Sequence, residues 1–151
     1  MPKPFLLDVN VLLALAWPNH LHHREAALWF AQDGRHAFRT CPITQTGFVR
    51  ISSNPAFTAE AVSPLQALDL LGRIADLPGH GFWPDDLPLP AAIADSLILG
   101  HRQVVDLYLL KLSANHGGIF ATLDRGAAAL AKREAIPAIL VGHLLHKPQL
   151  P

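Results

Sequence analysis

The chain has 151 residues, of which 50% are hydrophobic and 16% are charged. This composition excludes a disordered chain or a coiled coil and predicts one compact domain over residues 1–151. Twelve basic and twelve acidic residues give zero formal net charge, which excludes a protein that grips nucleic acid through bulk positive charge.

The cysteine content and the length of the apolar segments indicate the cellular compartment in which the protein works. The single cysteine, Cys41, excludes an intrachain disulfide and a thiolate zinc cluster and is typical of a reducing cytoplasm. The apolar run at residues 11–17 is far shorter than the roughly 20 residues needed to span a bilayer. We therefore expect a cytoplasmic protein with no membrane segment and no signal peptide.

Short apolar runs, separated by proline and glycine, predict the strands of a buried sheet. In chain order these strands are residues 5–9, 37–40, 82–83, 119–123 and 138–141. The predicted helices are residues 11–16, 19 or 20 to 30, 43 or 44 to 52, 64–77, 91–100, 103–115 and 126–134. Because strands alternate with helices, we predict an α/β fold: a three-layer α/β/α sandwich around a central, mainly parallel sheet.

Two aspartates stand where predicted strands end. Asp8 follows an apolar pair in the first strand, and Asp124 follows residues 119–123. Ligands of open parallel sheets bind beyond the carboxyl ends of the strands, so we expect both acids at one edge of the sheet. Asp106 is a third candidate near the start of a helix. The simpler alternative for all three acids is helix capping or a favourable position in the helix dipole.

Three converging carboxylates repel one another unless a cation compensates their charge. Mg²⁺ and Mn²⁺ prefer oxygen ligands and keep several of their waters. Such a site activates water and stabilises charge on a phosphate during hydrolysis. Asp8, Asp106 and Asp124 are therefore candidate metal ligands and catalytic residues.

Five segments give the chain a specific resemblance. They are LLDVNVLLAL at 6–15, ITQTGFVR at 43–50, FWPDD at 82–86, GHRQVVD at 100–106, and residues 118–126, which end in TLDRG. Their residues and order resemble the PIN-domain ribonucleases, and more specifically the VapC toxins of bacterial toxin–antitoxin pairs. The resemblance covers roughly the whole chain. It implies a homodimeric, Mg²⁺- or Mn²⁺-dependent endoribonuclease that is inhibited by a VapB-type antitoxin.

By position, the resemblance implies that Asp8, Asp106 and Asp124 bind the metal and cleave RNA through metal-activated water. It also implies that Asn10 and Thr122 are polar residues that shape the site by orienting a ligand or a water.

The chain departs from the family pattern at Gln45, where the family usually has a glutamate after the threonine. An amide oxygen can still shape the site or bind a cation, but without charge, so three acids instead of four should bind metal more weakly. The alternative function is therefore a catalytically impaired module that binds RNA or antitoxin. A large gain in hydrolysis on Gln45→Glu would favour that alternative.

Arg50, Arg102 and Arg125 each lie in a matching segment close to a proposed acid. They are candidate RNA-binding residues, because guanidinium groups bind phosphate through two hydrogen bonds. Ion pairing with the acids themselves is the alternative role.

A third hypothesis is a phosphatase with Asp8 as the nucleophile. The sequence lacks the second acid that such enzymes carry two residues later, because Asn10 stands there.

Overall fold

Within residues 2–96 and 100–142, which the computed structural model describes, five short strands form one parallel sheet. The strands are β1 (Phe5–Leu7), β2 (Phe38–Thr40), β3 (His80–Phe82), β4 (Ile119–Thr122) and β5 (Ala138–Leu140). Their order across the sheet is β3-β2-β1-β4-β5, and every adjacent pair is parallel. The predicted parallel sheet is confirmed.

Seven α-helices accompany these strands in the described residues. They are α1 (Val9–Ala16), α2 (His23–Gln32), α3 (Pro42–Ser52), α4 (Pro64–Ala75), α5 (Leu89–Ile93), α6 (Val104–Asn115) and α7 (Arg125–Arg133). Short 3₁₀ turns at Gly34–His36 and His101–Gln103 precede β2 and α6. None of these helices combines the length and the hydropathy that a bilayer crossing requires.

Alternate side chains of the central strands enter two separate cores, as the two-residue period of a strand requires. Leu6 and Phe120 pack with residues of α5, α6 and α7 on one face of the sheet. Their neighbours Leu7 and Ala121 pack with residues of α1, α2, α3 and α4 on the other face. Helices therefore cover both faces, which confirms the predicted three-layer sandwich.

Several element boundaries differ from the predictions. The predicted strand over 5–9 ends at Leu7, and α1 already begins at Val9; the predicted strand over 82–83 is His80–Phe82, and α4 ends at Ala75 rather than at 77.

Two helices differ most. Helix α2 begins at His23 rather than at residue 19 or 20, because the chain first turns after Trp17 and Pro18. The predicted helix over 91–100 is the five-residue α5, which starts earlier and ends at Ile93; residues 97–99 of that prediction lie outside the described residues. By contrast, Ser63 caps α4 as predicted, accepting a hydrogen bond from the Gln66 amide at 3.2 Å.

The connections leave β1 towards opposite sides of the sheet. After β1 the chain goes to β2 and β3 on one side, and later to β4 and β5 on the other. The strand order therefore reverses between β1 and β4, and a crevice opens beyond their carboxyl ends at such a point. Asp8 and Asp124 follow these two strands, so the sequence prediction that both acids share one sheet edge is confirmed.

Candidate active site

Asp8 connects β1 to α1 and is almost completely buried, with 7% of its surface exposed. Its amide donates to the carbonyl of Ala121 on β4, which fixes the backbone against the neighbouring strand (2.9 Å). One carboxylate oxygen, Oδ1, accepts from the Val9 amide at 2.7 Å and caps α1. The other, Oδ2, accepts from the Thr122 hydroxyl at 2.8 Å. Capping is therefore a real role of Asp8, and it uses only one of the two oxygens.

Thr122 and Asp124 extend this hydrogen-bond network from β1 to the neighbouring strand β4. The fully buried Thr122 hydroxyl donates to Asp8 and accepts from the Asp124 amide at 3.0 Å. Asp124 caps α7 by accepting from the Gly126 amide at 2.7 Å. One threonine side chain thus ties together the two turns that carry the acids.

Burial and the charge of nearby carboxylates raise the pKa of Asp8 and Asp106. The pKa of Asp8 is raised because burial disfavours the charged form; the hydrogen bonds from Thr122 and Val9 oppose this shift, and the charge of Asp124 adds to it. Asp106 lies in the first turn of α6, and its pKa is raised to about 6, first by burial and then by the charges of Asp8 and Asp124. The fold therefore concentrates negative charge where the sequence predicts it.

A cleft of about 590 Å³ opens at this edge of the sheet. Its lining joins four carboxylates, one cation and two polar side chains to apolar residues of α1, α3 and α6. The lining residues are Asp8, Val9, Asn10, Pro42, Ile43, Thr46, Gly47, Arg50, Ile51, Asp85, Val105, Asp106 and Asp124. Five of the residues singled out from the sequence thus meet in one cavity: the three proposed acids, Asn10 and Arg50.

The other residues singled out from the sequence lie elsewhere. Thr122 donates a hydrogen bond to Asp8 but does not itself line the cleft. Arg102 and Arg125 are exposed on the segments that carry Asp106 and Asp124, outside the lining, and within the described residues no ion pair joins them or Arg50 to the three acids. Gln45 also lies outside the lining, because its amide nitrogen donates to the hydroxyl of Thr40 at 3.1 Å.

Asp85 is the charged residue of the cleft lining to which the sequence assigned no role. The FWPDD segment marked its surroundings, but nothing in the sequence distinguishes Asp85 from Asp86. The structure separates them: Asp85 lines the cleft, whereas the carboxylate of Asp86 lies 2.8 Å from Nε2 of His116.

The acids suit a hard divalent cation by their chemistry. In the described residues, no three His, Cys, Asp or Glu side chains approach closely enough to form a complete protein ligand set. Mg²⁺, however, usually keeps several waters and binds through one or two carboxylates, so it does not need such a cage. Burial, and to a lesser extent neighbouring carboxylates, raise the pKa of Asp8 and Asp106, so the charged forms are unfavourable there and a cation would stabilise them.

A second groove, of about 410 Å³, adjoins the acidic cleft and shares Asn10 and Ile51 with it. Leu13, Trp17, Leu21 and Phe57 give this groove an apolar lining. Leu21 and Phe57 are 89% and 66% exposed, which is unusual for side chains of this size.

Curated proteins similar to this chain are ribonucleases. Ribonuclease VapC39 of Mycobacterium tuberculosis is 46% identical over 128 residues, covering 83% of this chain and 90% of that protein. Ribonuclease VapC38 of the same species is 40% identical over 130 residues, covering 85% and 90%. Ribonuclease VapC44 is 37% identical over 145 residues, covering 92% and 96%. No sequence-family profile matches the chain.

Solved structures share the fold at low sequence identity. FitAcB from Neisseria gonorrhoeae superposes with a TM-score of 0.60 at 19% identity, covering 89% of this chain and 96% of that chain. VapBC2 from Rickettsia felis, bound to a DNA fragment from its promoter, superposes with a TM-score of 0.58 at 8% identity and the same coverages. These likenesses establish the architecture, and the curated relatives carry the family assignment.

Proposed function

The chain belongs to the VapC ribonucleases, the toxins of toxin–antitoxin pairs, and on this basis we propose that it cleaves RNA in the acidic cleft. The observation that carries this proposal is the electrostatic coupling of Asp8, Asp106 and Asp124 beyond the ends of β1 and β4. Carboxyl groups in a cleft whose pKa is raised by burial and by neighbouring carboxylates, as for Asp8 and Asp106, are frequent at catalytic sites. The proposed nuclease is a single domain, because both cores draw residues from strands β1, β4 and β5 of one sheet.

Asp8, Asp106 and Asp124 would hold a divalent cation, Mg²⁺ or Mn²⁺, and serve as the catalytic residues. When bound, such a cation lowers the pKa of a coordinated water and offsets charge on the scissile phosphate. Thr122 fixes the Asp8 carboxylate by donating to its Oδ2, and the Val9 amide fixes Oδ1. The carboxylates are thereby oriented before substrate arrives, which is how supporting hydrogen bonds tune a metal site. Asn10 provides a neutral polar group at the same edge.

Arg50 is the cleft residue best suited to bind the RNA phosphate backbone. It lines the cavity from α3 and faces the same space as the acids. Arg102 and Arg125 are exposed beside the site and would bind further phosphates along the RNA chain. Because the chain has no net charge, these few contacts supply the electrostatic part of the affinity, and the salt dependence should be shallow.

The other hypotheses have less support. Relatives named as ribonucleases disfavour a pure binding module, and the Gln45 amide, which bonds to Thr40, is not a cleft group. A phosphatase nucleophile at Asp8 is disfavoured because Asn10 stands where such enzymes carry a second acid.

An antitoxin of the VapB type is the proposed protein partner, and a homodimer is the proposed assembly, both in the cytoplasm. Exposed apolar side chains support protein contacts of this kind. On α4, Leu65 is 78% exposed and Leu68 is 54% exposed, so the apolar edge of this helix is open to a second copy. Leu21 and Phe57, beside the cleft, offer an apolar surface to an antitoxin.

The test is cleavage of a pool of structured RNAs by the purified protein with Mg²⁺, with Mn²⁺ or with EDTA. We expect cuts with either cation and none with EDTA. Asp124→Asn should abolish them while keeping the cap of α7, because asparagine is an equally good N-cap. Asp76→Asn, at the exposed end of α4, is the matched control and should cut normally. Cutting that persists in EDTA, or in Asp124→Asn, would contradict the proposal.

A further inference from the structure

Asp85 is a carboxylate of the cleft that comes from a part of the chain remote from the other three. It lies in the connection between β3 and α5, while Asp8 follows β1, Asp106 opens α6 and Asp124 follows β4. It lines the same cavity as these acids. Exposed as it is, Asp85 can change its contacts without disturbing the core.

The segment around Asp85 is anchored on its N-terminal side by Trp83. The Trp83 amide donates to the Thr40 carbonyl at 2.9 Å, which continues the β2–β3 ladder by one residue. Its side chain is buried and stacks on the imidazole of His116, with ring centroids 4.7 Å apart and planes 14° apart. A Cβ on Gly118 would overlap the Trp83 ring, so the indole fills the space that this glycine leaves.

Asp86 and Leu87 anchor the C-terminal side. The Asp86 carboxylate lies 2.8 Å from His116, the same residue on which Trp83 stacks. The side chain of Leu87 packs against the core that Tyr108 and other residues of α6 form. Asp85 thus lies in a short exposed stretch that is anchored on both sides, and its position at the cleft needs little further ordering.

Helix α3, which forms the opposite wall, brings no carboxylate to the cleft. Its lining residues are apolar or neutral apart from Arg50, and the amide of Gln45 is engaged by Thr40. Among the described residues, the acids that line this cavity are therefore Asp8, Asp85, Asp106 and Asp124.

We propose that Asp85 is the fourth acidic residue of the active site and contributes to divalent-cation binding, directly or through a water of the cation. This inference rests on the proposed metal-dependent ribonuclease function. A fourth carboxylate strengthens the binding of a hard cation, because affinity at oxygen sites rises with ligand charge. It also gives the FWPDD segment a function that is divided between its two acids: Asp85 serves the cleft, and Asp86 holds the segment in place.

The experiment is a calorimetric titration of metal-free protein with Mn²⁺, in the absence of RNA. We expect Asp85→Asn to weaken Mn²⁺ binding by about 10- to 100-fold, the usual cost of losing a group that supports a metal site. Asp86→Asn is the matched control, since it makes the same change one residue later. It should bind Mn²⁺ as the wild type does, and its melting temperature should fall slightly, because the amide keeps an oxygen acceptor for His116 but removes the negative charge beside it. Asp85→Glu should recover part of the affinity.

Wild-type affinity in Asp85→Asn would overturn the inference, and so would equal weakening in both variants, which would indicate a disordered segment rather than a lost ligand. Thermal unfolding of each variant checks that it is folded. The cleavage assay separates this inference from the proposed function. If Mn²⁺ binds and Asp85→Asn weakens it while no RNA is cut, the proposed function fails and the role of Asp85 stands.

Discussion

Thr40 and Thr122 occupy equivalent places on the two strands that flank β1. Each is the last residue of its strand, each is fully buried, and each hydroxyl joins two partners. Thr122 bonds to the carboxylate of Asp8 and the amide of Asp124. Thr40 bonds to the side-chain amide of Gln45 at 3.1 Å and lies 2.7 Å from the imidazole of His80. A threonine at the end of each flanking strand thus supports a network of hydrogen bonds: Thr122 supports a charged network on one side of β1, and Thr40 supports a neutral network on the other.

The two networks differ in how their partners affect the free energy of unfolding. Burial and repulsion raise the pKa of Asp8, so its negative charge at neutral pH opposes folding. Burial and the nearby Arg39 lower the pKa of His80, so its network remains neutral. A protein keeps an unfavourable charge only where function uses it, and the Thr40 network has the character of a scaffold. The comparison predicts that equivalent substitutions on the two sides will separate activity from stability.

Asp8→Asn should have the largest effect. We expect RNA cleavage to fall by about 10³-fold, because the carboxylate that would bind the cation is replaced by a neutral amide. That factor corresponds to about 4 kcal/mol of transition-state stabilisation. The melting temperature of the metal-free protein should rise at the same time, since the change removes a buried charge but keeps a capping side chain.

Cleavage of a labelled RNA and thermal unfolding in EDTA measure the two effects of Asp8→Asn separately. Asp33→Asn, at the exposed end of α2, is the control and should alter neither. A lower melting temperature in Asp8→Asn would show that the charge is stabilising and would contradict the contrast drawn between the two networks.

Thr122→Val and Thr40→Val form the direct comparison. Both remove one buried hydroxyl with little change of shape, and each should lower the free energy of unfolding by about 1–3 kcal/mol because two partners lose their hydrogen bond. Only Thr122→Val should also lower cleavage, by about 10- to 100-fold, since it orients a proposed metal ligand. Urea unfolding of both variants measures the loss of stability, and RNA cleavage by both measures the loss of activity. A comparable loss of activity in Thr40→Val would place both networks in the active site.

The charged network was predictable from the sequence, and the neutral one was not. Asp8 and Asp124 each follow an apolar strand, so a local pattern and the topology of parallel sheets were enough to bring them together. The Thr40 network joins residues 5 and 40 positions apart whose types are common throughout the chain, and only the pairing of β2 with β3 brings them into contact.

Asp85 could not be distinguished from Asp86 for a related reason. Which of two adjacent acids faces the cleft depends on how Trp83 and His116 pack, and no periodic pattern encodes that packing. Helix ends also depended on tertiary structure: the turn after Trp17 delays α2 to His23.

Gln45→Glu tests how far the neutral network is separate from the cleft. We expect cleavage to rise by less than about tenfold, or 1.4 kcal/mol, because the side chain at this position bonds to Thr40 rather than lining the cavity. Stability should fall, since a carboxylate cannot donate to the Thr40 hydroxyl oxygen as the amide does. A larger gain in single-turnover cleavage would mean that the residue at this position reaches the active site and that the native protein is impaired.

The smallest effect we expect is in the pH dependence that His80 gives to stability. Because the pKa of His80 is lowered in the folded protein, the unfolded chain takes up its proton first as the pH falls below about 6.5. The contribution of His80 is therefore complete above that pH and is lost as the pH falls towards the folded pKa. His80→Gln keeps a polar partner for Thr40 but cannot titrate, so its unfolding free energy, measured with urea, should fall less than that of the wild type on acidification. His36→Gln, at an exposed histidine, controls for the general effect of removing an imidazole. If acid destabilises His80→Gln as much as the wild type, protonation of His80 does not affect the stability of the Thr40 network. The two networks would then differ only in where their charged groups lie.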